Sequence, residues 1–341
     1  MTQRPVLAVT MGDPAGIGPE IAVRALLDPE VRAVSRCFLI GDMRVFQRAL
    51  SVCGLTAVLH PIAGPEALAD RAGTIDVLHQ ETADPAVLRM GAVQPLGGEA
   101  AYAAIRTSIE LAVAGRIDGV ATTPINKESL KAAKIPFIGH TEMFAEHTGA
   151  REEMTMFTIN GLKIFFLTRH VSLIEACRLI TRERVGKGID NCIKALHQLG
   201  LDHPHLAVAA LNPHGGEDGL FGREEIDGIK PAIAAARARG LHVSGPVPAD
   251  SVFHMAKLGR YDAVLSLYHD QGHIAAKMLD FEKTVSVTLG LPILRTSVDH
   301  GTAFDIAGTG KASAVSMIEA IKVAAEYAVR GVRLGEAAAA E

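Results

Sequence analysis

Three histidines stand just beyond apolar runs of strand character: His170 after KIFFLTR, His214 after VAALNP and His269 after AVLSLY. In an open α/β sheet, ligands bind beyond the carboxyl ends of the strands, where side chains converge without belonging to the core. Three imidazoles delivered to such ends make a donor set for one divalent cation, with a coordination position left open. Any one of them alone reads at least as well as a strand-end histidine bonded to backbone; three equivalent placements favour the metal. Their spacing is far wider than a local motif such as HExxH, so only the fold can bring them together. Asp250, in PADSVF, is either a carboxylate close to that cation or the N-cap of a helix over VFHMAK.

Two glycine-rich segments follow apolar runs. The first, MGDPAGIGPE after Val6–Thr10, places Gly12, Gly16 and Gly18 ahead of a helix opening at Pro19. It is not GxGxxG, and it reads either as a backbone approach to an anion or as a tight strand-to-helix turn. The second, TSVDHGTAFDIAGTG from Thr296 to Gly310, packs Asp299, His300 and Asp305 among Gly301, Gly308 and Gly310. A polar loop of that kind can hold the adenine and ribose of a nucleotide through backbone groups and a carboxylate. A third set suits phosphate or carboxylate: Gly139-His140-Thr141, Lys277 and Arg295, the arginine able to grip a planar or tetrahedral anion with two donors. A lone lysine in that set reads more readily as a solvated surface cation.

The elements that position these groups are short and alternate in type. Strands are predicted at Val6–Thr10, Cys37–Ile40, Gly119–Thr122, Met154–Ile159, Lys163–Thr168, Leu206–Leu211, Ala263–Tyr268 and Thr284–Leu289. Helical patterning falls near Pro19–Leu27, Gly98–Ala114, Arg182–Leu199, Glu224–Arg239 and Ser313–Arg330. Strands rich in Val, Ile and Leu that alternate with helices predict a mostly parallel sheet covered on both faces. Asn160-Gly161, between two apolar runs, predicts one antiparallel hairpin with a type I′ turn. The Ala-rich stretch after Gly335 is expected to fray.

With 341 residues the chain exceeds one ordinary domain. No linker marks a boundary, which suits a chain that crosses between domains more than once. A formal charge of −4 offers no footprint for nucleic acid or an anionic membrane. No apolar run reaches the roughly 18 residues that a membrane span needs. The N-terminal stretch has no signal-peptide pattern, and Cys37, Cys53, Cys177 and Cys192 form no CxxC pair. These features predict a cytoplasmic protein with four buried thiols.

The stretches TMGDPAGIGPEI, TTPINK, GHTEMFA, LNPHGGEDGLFGREE, YHDQGH and LGLPILRTSVDHGTAFDIAG occur in this order along nearly the whole chain. Together they resemble the 4-hydroxythreonine-4-phosphate dehydrogenases of pyridoxal phosphate biosynthesis. The resemblance implies the fold shared with isocitrate and isopropylmalate dehydrogenases: two α/β domains, mostly parallel sheets, an active-site cleft between domains, and a homodimer with the site near its interface. We place one domain at residues 1–130 plus 285–341 and the second, with the metal-site histidines, at 131–284. The resemblance implies that His170, His214 and His269 bind zinc or a replacement such as magnesium, manganese or cobalt, with Asp250 nearby. It implies that His140, Thr141, Lys277, Ser286 and Arg295 contact substrate. The cofactor, NAD or NADP, would lie on Asp299, His300, Gly301, Asp305 and Gly308.

One position departs from the vitamin-pathway pattern. Ser286, in TVSVTLG, stands where those relatives carry asparagine, and GHIAAKMLDF and GTAFDIAG differ too. These features resemble the paralogous branch that oxidises 4-phospho-D-threonate or 4-phospho-D-erythronate in sugar-acid breakdown. The expected chemistry is metal-assisted oxidation of a secondary alcohol, followed by loss of CO₂ from the β-keto acid. Lys277 and Asp270 are the candidates for moving the proton. Two other classes are consistent with three histidines and an open site: a metal-dependent hydrolase of a phosphorylated compound, and a non-catalytic binder of such compounds.

Overall fold

A computed structural model describes residues 4–151 and 153–330. The Ala-rich stretch after Gly335 lies outside the described residues. The chain divides into two units, one built from the residues up to Glu153 and from Val285 onward, the other from Met154–Thr284.

The first unit holds β1 (Val6–Thr10), β2 (Arg36–Gly41), β3 (Val58–Pro61), β4 (Thr74–His79), β5 (Gly119–Thr122), β11 (Val285–Leu289) and β12 (Arg295–Val298). Their order is β3-β4-β2-β1-β5-β12-β11, parallel throughout except for the antiparallel β11–β12 pair. The chain winds outward from β1 through β2 and returns on the other side to β5. The carboxyl ends of β1 and β5 therefore flank the point where strand order reverses, the usual place for a ligand in such sheets. The helix Pro95–Val113 buries Ile105 and Ile109 against Phe38, Met143 and Phe144. That core includes Leu130 and residues of the helix His140–Thr148. The two short helices after β5 thus belong to this unit, and its first segment runs to Glu153 instead of stopping at 130.

The second unit holds β6 (Met154–Ile159), β7 (Leu162–Phe166), β8 (Leu206–Ala209), β9 (Val243–Val247) and β10 (Ala263–Ser266), ordered β6-β7-β10-β8-β9. β6 and β7 form the antiparallel hairpin, and both turn residues take positive φ (Asn160 46°, Gly161 83°), as a type I′ turn requires. The other pairs are parallel.

The α/β class with mostly parallel strands is as the alternation predicts. Eight strands were legible; β3, β4, β9 and β12 were not. β12 is informative, because RTSV at Arg295–Val298 reads locally as polar loop. It lies wholly buried between β5 and β11, with the Thr296 hydroxyl donating to Ala320 O (2.8 Å) and the Ser297 hydroxyl to Thr122 O (3.4 Å). The stretch 224–239 is not one regular helix: a π turn, Glu225–Ile229, precedes the helix Lys230–Ala238. Only Cys192 of the four free thiols is fully buried, while Cys37, Cys53 and Cys177 are partly exposed. Among the described residues, no helix is long and apolar enough to cross a membrane.

Candidate functional sites

In the second unit the three histidines follow β7, β10 and β8, which are neighbours in the sheet and run parallel. His170, His269 and His214 therefore leave the same edge from adjacent strands. The rings of His170 and His269 lie 6.1 Å apart between centroids. The Nδ1 of His269 donates to Asp270 Oδ1 at 2.6 Å, which leaves Nε2 to coordinate and gives the carboxylate–histidine arrangement common behind metal ligands. His273, one helical turn on, stacks on His269 at 3.6 Å and donates Nδ1–H to the His269 carbonyl (2.8 Å). Behind it sit the Phe157 and Phe166 rings, so His269 rests against a fixed wall. His273 was missed in the sequence; its offset of four from His269 in YHDQGH was the available signal.

His214 lies on a loop of unusual backbone. Residues His214, Gly215, Gly216, Glu217 and Asp218 all have positive φ, from 42° to 84°. For residues with side chains this conformation costs roughly 1–2 kcal/mol each, and such strain collects at functional sites. His214 lines a cleft of about 480 Å³ whose walls include Lys230 and Arg237. Asp250 is exposed in the first turn of the helix Ala249–Lys257, whose N-cap is Pro248, so it does not serve as the cap. Lys277 lies in the last turn of the helix His269–Leu279, its Nζ 5.2 Å from the centre of the Phe281 ring.

No three His, Cys, Asp or Glu side chains among the described residues already converge on one point. The donor chemistry nonetheless fits a borderline divalent cation. It comprises three imidazoles on adjacent strand ends, one of them with its tautomer set by a carboxylate.

The first unit supplies a candidate anion pocket. Arg295 begins β12 and is 4% exposed. Its Nη1 donates to the Thr288 hydroxyl (2.6 Å) and its Nη2 to the Thr122 hydroxyl (3.0 Å), while its face lies against the Phe144 ring. Among the described residues no carboxylate pairs with it, and its Nε is buried without a partner. Burial pushes the guanidinium down to about 9, still cationic at neutral pH. His140, the first residue of its helix, has a shielded Nε2 that also lacks a partner. Burial first, and then the Arg295 charge, hold this imidazole well below the usual histidine range, so it is neutral at pH 7. Thr141 follows in the same helical turn. A buried cation without a counter-ion among the described residues, beside an unsatisfied imidazole, has the chemistry that an anionic ligand would satisfy. Ser286 pairs with Ser297 and Thr288 with Arg295 across β11–β12, so Ser286 shares the Arg295 face of the sheet. Thr122 and Thr288 were not singled out in the sequence, where lone threonines in strands carry no signal.

The loop that follows β12 carries Asp299, His300, Gly301, Asp305 and Gly308, and its backbone is held from behind. Glu20, 2% exposed on the helix Gly18–Leu27, accepts from Gly308 N (2.6 Å) and Gly310 N (2.9 Å). Arg24, one turn later, donates to Gly310 O at 2.8 Å. Ile17 N donates to Thr302 O at 3.0 Å. The 12–18 glycines serve this packing: a Cβ on Gly16 would lie 2.8 Å from Thr302 Cβ. That segment is the tight structural turn, and it supports the second glycine loop instead of forming an open anion cradle.

Known proteins of the same design specify the chemistry. The pyridoxal phosphate biosynthetic protein PdxA family matches residues 33–324. A Symbiobacterium thermophilum protein named "Putative D-threonate 4-phosphate dehydrogenase" is 60% identical over 96% of this chain and 98% of its own length. A Halalkalibacterium halodurans protein of the same name is 54% identical over the same shares. The crystal structure of 4-hydroxythreonine-4-phosphate dehydrogenase from Klebsiella pneumoniae matches with a TM-score of 0.87 at 41% identity, covering 95% of this chain and 99% of that one. The Burkholderia phymatum 4-hydroxythreonine-4-phosphate dehydrogenase gives 0.84 at 41% identity, covering 95% and 98%. Fold and relatives together define a dehydrogenase, a class that works with a nicotinamide nucleotide and, in this lineage, a divalent cation. The chain belongs to the pyridoxal phosphate biosynthetic protein PdxA family.

Proposed function

We propose that the protein oxidises D-threonate 4-phosphate, or its erythronate epimer, with NAD as hydride acceptor and zinc or a similar divalent ion as Lewis acid. The carrying observation is the buried Arg295 guanidinium, bonded to two threonine hydroxyls, free of carboxylates among the described residues and beside neutral His140. It suits a ligand bearing phosphate or carboxylate. The name shared by relatives 60% and 54% identical supports the sugar-acid substrate. Ser286, on the Arg295 face of the sheet, supports it as well.

The division of labour follows from the residues. Arg295, Thr122, Thr288 and His140 bind and orient the anionic end of the substrate. The 299–308 loop, braced by Glu20, binds the nucleotide. His170, His214 and His269 would hold the divalent ion, which when bound would supply Lewis acidity toward the substrate hydroxyl. Asp270 fixes the His269 tautomer, and Lys277 or Asp270 accepts the hydroxyl proton. Two electrons and a proton leave C3 as hydride for the nicotinamide, and the resulting β-keto acid loses CO₂. We further expect a homodimer, which light scattering of the purified protein checks, and a cytoplasmic location, which cell fractionation checks.

Specificity constants for 4-phospho-D-threonate, 4-phospho-D-erythronate and 4-phosphohydroxy-L-threonine, read by NADH absorbance, test the reading. Preference for either sugar acid is expected; preference for the amino substrate sinks it. A serine hydroxyl has one donor and a short reach, whereas an asparagine amide both donates and accepts farther out. Ser286→Asn is therefore expected to shift the ratio of specificity constants toward the amino substrate by about tenfold, the effect of one hydrogen bond.

Glu20→Gln exchanges a carboxylate that serves two backbone amides for a group with a single acceptor oxygen. The expected result is a KM for NAD raised about tenfold, with the KM for the phosphorylated acid unchanged within twofold. Equal increases for both ligands would show that Glu20 supports the unit as a whole.

A further inference from the structure

The left-handed turn at His214–Asp218 is eased by Gly215 and Gly216, but it also carries His214, Glu217 and Asp218 at positive φ, which costs free energy that the two glycines do not offset. Something else holds it. Glu225, 1% exposed, opens the π turn Glu225–Ile229, and its carboxylate points back into the loop. Oε1 accepts from Leu211 N (2.8 Å) and from Asn212 N (2.7 Å), and Oε2 accepts from Asn212 Nδ2 (2.8 Å). The same Asn212 amide donates to Glu224 Oε2 at 2.7 Å. The turn closes over this carboxylate at Gly216, where a Cβ would lie 2.9 Å from Glu225 Oε2. Burial alone would raise the Glu225 pKa, but the hydrogen bonds from Asn212 and Leu211 hold it below the usual value, so the group is an anion. π turns are rare and frequent at functional sites.

We propose that Glu225 is a positioning residue for His214: its carboxylate pins Leu211 and Asn212, and so sets the turn that presents the imidazole to a divalent cation. This rests on His214 being a metal ligand. Glu225 touches neither substrate nor cation; it acts through the backbone two and three residues before His214. Partners of this kind behind metal ligands commonly change affinity by 10–100-fold.

The test is a Co²⁺ titration of the metal-free protein, followed by visible absorbance, with thermal melting of the same samples. Glu225→Gln keeps the shape but sets an amide NH₂ against the Asn212 NH₂. Co²⁺ affinity is expected to fall at least tenfold, with the KM for NAD unchanged within twofold. A purely structural role would lower the melting temperature and leave Co²⁺ affinity unchanged, which would overturn the proposal. If Glu225→Gln does not fold, Asn212→Ser removes one arm of the contact more gently. A folded Asn212→Ser protein should bind Co²⁺ at least threefold more weakly, and parental affinity would overturn the proposal. His170→Ala and His214→Ala are the controls. If both bind Co²⁺ as the parent does, the three-histidine reading fails; if both lose Co²⁺ and Glu225→Gln does not, only the positioning role fails.

Discussion

His214→Ala is expected to lower turnover at least ~10³-fold, roughly 4 kcal/mol of transition-state stabilisation, and to reduce bound divalent metal to background. The imidazole is exposed, so its loss opens no cavity in the core. The backbone complicates the reading, because φ is 54° at this position and an alanine Cβ is strained there. His214→Gly removes that strain and the imidazole together. If both variants melt near the parent and both are inactive, the imidazole is the cause. Metal analysis after dialysis, with activity on metal add-back, completes the measurement. Parental metal content and activity in either variant would remove His214 from the site.

Arg295→Ala is expected to raise the KM for the phosphorylated acid by tenfold or more, at least about 1.4 kcal/mol of binding, and to leave the KM for NAD within twofold. The loss can approach several hundredfold, since truncating one member of a buried charge pair commonly costs about 2–5 kcal/mol. Arg295→Lys keeps the charge but cannot span the Thr122 and Thr288 hydroxyls with a planar fork, so an intermediate loss is expected. Stability should move the other way. A buried guanidinium without a counter-ion is unfavourable in the ligand-free protein, and Arg295→Met exchanges it for an apolar chain of similar length. The melting temperature of the ligand-free Arg295→Met protein is expected to rise while substrate affinity falls. If melting temperature and affinity for both ligands fall together, Arg295 belongs to the core and not to a substrate pocket.

The candidate groups of the two units differ in how far they could be read from the chain. The three histidines were legible because each follows an apolar run of strand length in an alternating α/β pattern, so each lies at a carboxyl end. The turn of the Met154–Phe166 hairpin was equally legible, since Asn-Gly is among the few pairs that accept positive φ twice in succession. Arg295 was picked out as a cation, but its burial was not, because RTSV has no apolar periodicity. Glu20 and Glu225 escaped notice altogether. A glutamate beside a glycine motif reads as a solvated helix residue until its backbone partners are known, and those of Glu20 lie 288 and 290 residues away.

Local physics therefore determined the strand and helix types, the hairpin, and the placement of chemically useful residues at strand ends and in polar loops. These depend on side-chain period and turn preference within about ten residues. Tertiary structure alone decided which strand ends are neighbours: β10 enters between β7 and β8 and so places the His269 strand between those of His170 and His214. It also decided that Arg295 loses water and, among the described residues, gains no carboxylate, one of its hydroxyl partners coming from Thr122, 173 residues away. Strand order, desolvation and the pairing of buried charges are set by contacts between distant segments. No window of sequence contains both sides of such a contact.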